Sequence, residues 1–352
     1  MIDFIIVGQG LAANVLAHHF HQNSIRFKMI GNTKLSNCSN VAAGIWNPIV
    51  FKRLTKSWMA DELISELNIF YSACEKTLNT SLITQRQIIK PFVEDQEKNL
   101  WLKKSQQNLG AFLNPIINDS HHLDFKNCYL NDDYGLVENS GNLDLVAFIK
   151  KSDQFFKEDI ISQTFDYSNL KIEEDGIIYK TIKAKHIIFC EGHLVKHNPF
   201  FNWIPLKPAK GEIITIQTNE LNFKNKILNK NGFIMDVADQ TYKVGATYAW
   251  DDSSDQPTHK GLLELKEKLK KIIGCNYQLI NHQAGVRPSS ADRRPIIGQH
   301  PKYKNLHVFN GLGTKGVMLA PYFGKNFVNF YSNKQALHPD INVNRFYDSH
   351  VA

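Results

Sequence analysis

The first thirteen residues restrict the choice of fold more than any other stretch. Asp3-Phe4-Ile5-Ile6-Val7 is an apolar run that breaks at Gly8-Gln9-Gly10 and passes into Leu11-Ala12-Ala13-Asn14-Val15-Leu16-Ala17, whose apolar positions suit a helix on a parallel sheet. Strand, tight turn and helix start follow one another directly. Such a turn suits a dinucleotide: Gly8 turns sharply, Gly10 lets backbone approach a pyrophosphate, and the helix N-terminus offers N–H groups with a favourable dipole. Ala13 stands where the fingerprint's third glycine is usual, and it is small enough for close helix–sheet packing. Arg26 to Ile30 reads as the second strand, and the acid that commonly holds an adenosine ribose falls near its end. This chain has Gly31-Asn32 there. Asn32 hydrogen-bonds a hydroxyl, though less strongly than a carboxylate would.

The other end of the chain repeats the texture. Leu306-His307-Val308-Phe309 is a short apolar strand, and Asn310-Gly311-Leu312-Gly313-Thr314-Lys315-Gly316 leads into a helix over 317–331. Gly311, Gly313 and Gly316 spell a second Gly-x-Gly-x-x-Gly, so both ends are expected to touch one large cofactor. Between them, 57–78 carries helical periodicity, 87–93 reads as a strand and 94–107 as a charged helix. A short strand at 135–138 precedes a helix from Leu143 with Asn142 as its cap, and 170–173 with 177–184 reads as a hairpin. His186 to Phe189 is a buried strand running into Cys190-Glu191-Gly192, the kind of end where an open parallel sheet binds ligands. From Lys210 the pattern alternates as antiparallel strands do, so a second, mixed sheet is expected, followed by an amphipathic helix over 262–273 with solvated lysines.

At 352 residues, one large unit or two interleaved domains is expected. No apolar run approaches a membrane span and no basic leader precedes the first strand, so a cytoplasmic location is expected. The five cysteines are far apart, which predicts neither a disulfide framework nor a cysteine metal site. His18, His19, His21 and His121-His122 lack nearby acidic or cysteine partners and read as solvated side chains, so no metal is expected. The net charge of +7 is mild and favours an anionic ligand without establishing a nucleic-acid partner. Arg287 follows an apolar strand and precedes Pro288; its rigid fork suits a carboxylate. Arg293 and Arg294 read as surface charges with Asp292 as local partner.

Gly8-Gln9-Gly10, Val41-Ala42-Ala43-Gly44, Cys190-Glu191-Gly192, Pro208 to Glu212, Val244-Gly245-Ala246-Thr247, Ala284 to Pro288 and Gly311 to Pro321 occur in the order seen in the D-amino-acid oxidase superfamily. The chain most resembles its glycine oxidase and sarcosine oxidase branch, over nearly the whole length. The resemblance implies an α/β fold in which a Rossmann-type, glutathione-reductase-like FAD domain (1–45, 135–200 and 286–352) is interleaved with an α+β substrate domain (46–134 and 201–285) on a mixed, largely antiparallel sheet. It implies noncovalent FAD, with Gly8, Gly10, Leu11, Ala12 and Ala13 at the pyrophosphate and Asn32 near the ribose. Ser39, Ala43, Gly44 and Ile45 would lie along the flavin and Gly192 beneath the cofactor. Gly311, Gly313, Thr314, Lys315, Gly316 and Val317 match the loop at the flavin's pyrimidine edge, where the glycine oxidase pattern has an arginine. Arg287 matches the arginine that grips the substrate carboxylate, with Phe233, Tyr248 and Trp250 as pocket walls.

The activity so implied is oxidation of the C–N bond of a small amino acid or N-substituted glycine, by hydride transfer to flavin N5. Asn47-Pro48 and Gly245-Ala246-Thr247-Tyr248-x-Trp250 are also similar to the oxidase domain of a bifunctional wobble-uridine modifying enzyme, which makes tRNA the less favoured alternative substrate. Gly31 and Thr314 motivate a third reading, a flavin-binding protein with impaired catalysis.

Overall fold

The strand Ile2–Val7 runs between two parallel neighbours, Phe27–Gly31 and Ile182–Phe189, with Ile160–Ser162 beyond the first and Leu306–Asn310 beyond the second. A strand flanked on both edges and covered on both faces has no side for a polar residue. Phe4, Ile5 and Ile6 are accordingly buried completely. The computed structural model describes residues 1–32, 38–119, 127–130, 133–223, 225–238 and 240–347. Gly176–Tyr179 extends the sheet antiparallel to Ile182–Phe189, and Leu170–Glu173 adds beyond it, antiparallel in turn to Gly176–Tyr179. The expected single strand over 177–184 is therefore two strands. Lys180, with φ +53°, turns the chain back between them, and the short polar break Lys180-Thr181 carries neither the glycine nor the proline that usually marks a turn.

The helices Leu11–Gln22, Ala60–Leu78 and Gly316–Tyr331 pack together against this sheet. Pro321 lies inside the last helix and has no N–H to offer the carbonyl of Val317. The Tyr71 hydroxyl donates to that carbonyl instead, at 3.3 Å. His19 Nε2 donates to the Pro321 carbonyl at 2.9 Å, and His18 Nε2 lies 2.9 Å from Ser152 Oγ. These two histidines, expected in solvent, are 1% and 4% exposed because they face the phenyl rings of Phe70 and Phe148. Only His21 of the three is exposed. His121-His122 lie outside the described residues.

The second sheet also has eight strands, from Gln278–Arg287 at one edge through Ala209–Gln217, Thr241–Gly245, Phe233–Ala238, Lys226–Asn229, Gln87–Pro91 and Asp133–Val137 to Asn118–Asp119. All its pairings are antiparallel except that of Lys226–Asn229 with Gln87–Pro91. Pairing of Ala209 with Arg287 ends the longest ladder beside the first unit. Two segments fall across the expected domain boundaries. Asp133–Val137 is a strand of this second sheet, so a division at 135 would cut it, and the helix Ala60–Leu78, expected with the substrate domain, packs on Gly316–Tyr331. In both cases the partner is distant in sequence, and local composition carries no trace of it.

One buried cation ties the units together. Arg86, 8% exposed, donates from Nε to Asn142 Oδ1 at 2.6 Å, from Nη1 to Asp236 Oδ1 at 2.7 Å and from Nη2 to the Asp236 carbonyl at 3.0 Å. Asn142 is thereby engaged, and the helix Leu145–Phe155 is capped by Asp144, whose carboxylate accepts from Ala147 N–H at 2.9 Å. Arg86→Met is expected to cost about 2 kcal/mol, since it strands the buried Asn142 amide and leaves the part-exposed Asp236 carboxylate without its partner. Chemical denaturation measures it. A loss below about 0.5 kcal/mol, the scale of an ordinary surface change, would refute the tie.

Candidate active site

The carboxyl ends of the parallel strands open onto a cavity of roughly 840 Å³, which the second sheet walls from the opposite side. Val7, Ile30 and Cys190 contribute from the first sheet, and Ile213, Phe233 and Arg287 from the second. Crevices of this kind arise where loops at strand ends diverge.

Both terminal glycine turns reach this one cavity. Gly8, Gly10, Leu11 and Ala12 line it at the start of the chain, and Gly313, Thr314, Gly316 and Val317 near its end. Each turn delivers a helix N-terminus, a partial positive charge, to the same space. Gly8 has φ +121°, and a Cβ there would stand 2.4 Å from the Cys190 carbonyl oxygen, so no other residue fits. The Ser39 hydroxyl accepts from Leu11 N–H at 3.2 Å, and Ala43, Gly44 and Ile45 beyond it line the cavity wall. Gly192 has φ +57° and would place a Cβ with no atom within 4 Å, so a side chain there would enter the cavity. Asn32 lines it too, and donates to Thr164 Oγ1 at 3.1 Å. The adjacent Gly31 makes room for Gln9, whose Cβ would be 2.5 Å from a Cβ at residue 31.

Four expected site residues lie off the lining. Ala13 is buried between helix and sheet, and Gly311, with φ +74°, shapes the turn against Ile296. Lys315 directs its ammonium to Ser57 Oγ; burial, with the charge of Arg294 in addition, pulls its pKa down to about 8. Trp250 stands outside the cavity, whereas Phe233 and Tyr248 line it. Arg294, expected as a surface ion, stacks on Trp58 at 4.2 Å, while Asp292 pairs with Arg345.

Arg287 is held without a counter-ion. Its guanidinium donates only to carbonyls, that of Lys210 at 3.2 Å and that of Thr247 at 3.4 Å, and covers the Tyr248 ring at 4.2 Å. Among the described residues no carboxylate pairs with it. Burial lowers its pKa, partly offset by Tyr248 and Cys38, and a buried cation without an acid favours an incoming anion. Gly211 makes its position possible, because a Cβ there would stand 1.9 Å from Arg287 Nη2. The obstructed atoms are the movable end of a side chain. Gly211→Ala is therefore expected to keep the fold while displacing the guanidinium, raising the Kd of a carboxylate ligand about tenfold, the loss of one charge-assisted hydrogen bond. Titration alongside a melting curve checks it: unchanged affinity overturns the arrangement.

Sequence reasoning passed over several wall residues. Asn229 and Asn231 enter from the second sheet, and Lys268, expected among the solvated lysines of the following helix, lines the cavity instead and donates to the Ala246 carbonyl at 2.9 Å. Glu191 lines the cavity with Tyr167, whose hydroxyl donates to it, and accepts from Asn198 Nδ2 at 2.8 Å. Burial raises the Glu191 pKa. A charged residue closing an apolar strand was the available signal. Among the described residues no group of three or more His, Cys, Asp or Glu is placed to hold a metal, and no helix is long and apolar enough to cross a membrane.

Comparison with known proteins bears directly on this arrangement. The model of the DAO family, described as FAD dependent oxidoreductase, matches residues 3–329. The chain belongs to that family. FAD is accordingly the cofactor of this DAO-family chain, and the cavity suits it: two helix N-termini face its space, the first at the glycine turn suited to a pyrophosphate, and Ala42, Ala43 and Gly44 line a wall that a flat ring can lie against. The glycine oxidase of Bacillus subtilis (strain 168) is 27% identical over 178 residues, covering 47% of this chain and 48% of that protein. The tRNA 5-methylaminomethyl-2-thiouridine biosynthesis bifunctional protein MnmC of Legionella pneumophila (strain Corby) is 27% identical over 185 residues, 44% of this chain and 27% of that protein. The chain thus matches about half the length of the first and about a quarter of the second. A solved structure of glycine oxidase from Bacillus cereus ATCC 14579 superposes with a TM-score of 0.78 at 18% identity, covering 96% of this chain and 97% of that one. It shares the fold of this chain: a Rossmann-type unit joined to a mixed sheet.

Proposed function

We propose that this oxidoreductase oxidises the C–N bond of a small amino acid or N-substituted glycine. The observation that carries the reading is Arg287, a partly buried guanidinium that no carboxylate pairs with among the described residues, lining the cavity shared by both glycine turns. In this reading Gly8, Gly10, Leu11 and Ala12 hold the pyrophosphate of FAD. Ser39, Ala43, Gly44, Ile45 and Gly192 lie along the cofactor, and the Gly313 to Val317 turn presents its helix end to the ring. Bound FAD supplies the acceptor for the hydride leaving the amine-bearing carbon. Arg287 grips the carboxylate bidentately and fixes which C–H bond faces the ring, so orientation carries the rate and no side-chain base is required. Phe233 covers the second-sheet side of the cavity, and Tyr248, 56% exposed, stands at its edge.

The similarity to the bifunctional protein supports a second reading, oxidation of a glycine-like arm on tRNA. Anaerobic mixing of the yellow holoenzyme with glycine, sarcosine, other small amino acids and tRNA separates the two. Bleaching of the flavin band by a free amine supports the first. Bleaching by tRNA alone, with steeply salt-dependent affinity, supports the second. Bleaching by none refutes both.

A further inference from the structure

Gly31 closes the second strand, at the place where a dinucleotide site usually carries the acid that takes a ribose hydroxyl. Backbone freedom does not explain a glycine here, because Gly31 ends its strand without a left-handed φ, in a conformation that any residue can adopt. Space explains it. A Cβ at residue 31 would stand 2.5 Å from Gln9 Cβ and 2.8 Å from Gln9 Oε1. The side chain of Gln9, the middle residue of the first glycine turn, therefore lies where a side chain at residue 31 would begin, and both residues line the cavity.

This exchange brings an acceptor with it. Gln9 is only 9% exposed, and its amide donates to the carboxylate of Asp153 on the helix Leu145–Phe155. A carboxylate accepts and does not donate, so the contact commits the NH2 group to Asp153 and fixes which way the amide faces. The oxygen is then the end that fills the space beside Gly31. An amide oxygen offers lone pairs to a hydroxyl without setting a negative charge next to a pyrophosphate, which a carboxylate inside the glycine turn itself would do. Asn32, the next residue, also lines the cavity, and its amide donates to Thr164 Oγ1 at 3.1 Å, toward the segment that follows Ile160–Ser162.

We propose that Gln9 has taken over ribose recognition in this chain: its side-chain oxygen accepts from a hydroxyl of the adenosine ribose of FAD, in the space an acid at residue 31 would use, and Asp153 is the residue that positions it. The inference rests on the reading that places the FAD pyrophosphate at the turn from Gly8 to Ala12. It moves the ribose contact from Asn32 to the middle of that turn.

The test titrates the full-length apoprotein with FAD and with FAD analogues that lack the 2′- or the 3′-hydroxyl of the adenosine ribose, reading Kd from quenching of flavin fluorescence. Wild type is expected to bind FAD about fivefold tighter than at least one analogue, the loss of one neutral hydrogen bond. Gln9→Met, similar in length but without the acceptor, should bring that ratio to about one; Asp153→Asn should reduce it, and Asn32→Ala should leave it unchanged. Gly31→Glu alone should weaken FAD binding because it meets Gln9, whereas Gly31→Glu combined with Gln9→Gly should restore the ratio. A ratio untouched by Gln9→Met, a ratio lost in Asn32→Ala instead, or equal Kd values of wild type for all three flavins overturns the role of Gln9. Gly10→Val separates that failure from failure of the cofactor placement: lost FAD binding keeps the placement whatever becomes of Gln9, and binding at wild-type affinity removes the placement and the inference with it.

Discussion

Arg287→Ala is expected to abolish amine-driven bleaching of the flavin band at substrate concentrations that saturate the wild type. Exchanging a partly buried, doubly donating guanidinium for a methyl group removes about 3 kcal/mol of carboxylate binding, roughly a hundredfold in Kd. Lost orientation adds to this, because a carboxylate that is no longer gripped leaves the C–H bond free to turn from the ring. The fold should survive, since the Lys210 carbonyl keeps its bond from Ala249 N–H when the guanidinium is gone. Arg287→Lys keeps the charge and loses the fork, so an intermediate effect is expected. Rapid mixing under anaerobic conditions, with flavin content and melting temperature as controls, makes the measurement. Bleaching of wild-type amplitude and rate in Arg287→Ala would remove the anchor role.

The second large effect concerns stability and pH. Burial, with the charges of His19 and His21 in addition, holds the His18 pKa at about 3, and burial likewise holds His19 at about 4. Both are neutral in the fold. The unfolded chain binds a proton at each below about pH 6.5, so stability is complete above that value and falls as the pH drops toward 4. At pH 5 each histidine has cost roughly 2 kcal/mol, about 4 kcal/mol for the pair, a large share of a normal folding free energy. Burial moves His186 and His307 in the same direction. Carboxylates act in a separate window: the hydrogen bond from Lys210 holds Asp252 at about 2, so its contribution disappears only as the pH falls from about 4 toward 2. Urea unfolding at pH 7.5, 6 and 5 checks the sign, and His18→Gln should flatten the slope. Equal stability at pH 7.5 and pH 5 would contradict it.

Much of the cofactor side was legible because its signals are local. A strand, a tight glycine turn and a helix start occupy adjacent residues, so Gly8, Gly10 and Leu11 announce themselves, as do Gly313 and Gly316. The place of Arg287 on the cavity wall follows a local signal too, the short apolar end of its strand before a proline. The misread residues are those whose partners are far away in sequence. His18 and His19 look solvated until the helix Ala60–Leu78 arrives to cover them, and Asn142 looks like a helix cap until Arg86 engages it. Lys315 belongs to a glycine loop by position, yet its ammonium follows Ser57, which comes from the other half of the chain.

The sequence by itself determined that the chain carries two glycine turns, each ending a buried strand and opening a helix, with one arginine suited to an acid. Backbone conformation and the helix dipole are set by neighbouring residues, so composition records them. Only the tertiary structure decided that both turns face one cavity, that Gly211 leaves space for the guanidinium, and that Trp250 stands outside. Those facts depend on the register of Ala209–Gln217 against Gln278–Arg287 and on which side chains meet there, and contacts between distant segments leave no periodic mark in the order of residues.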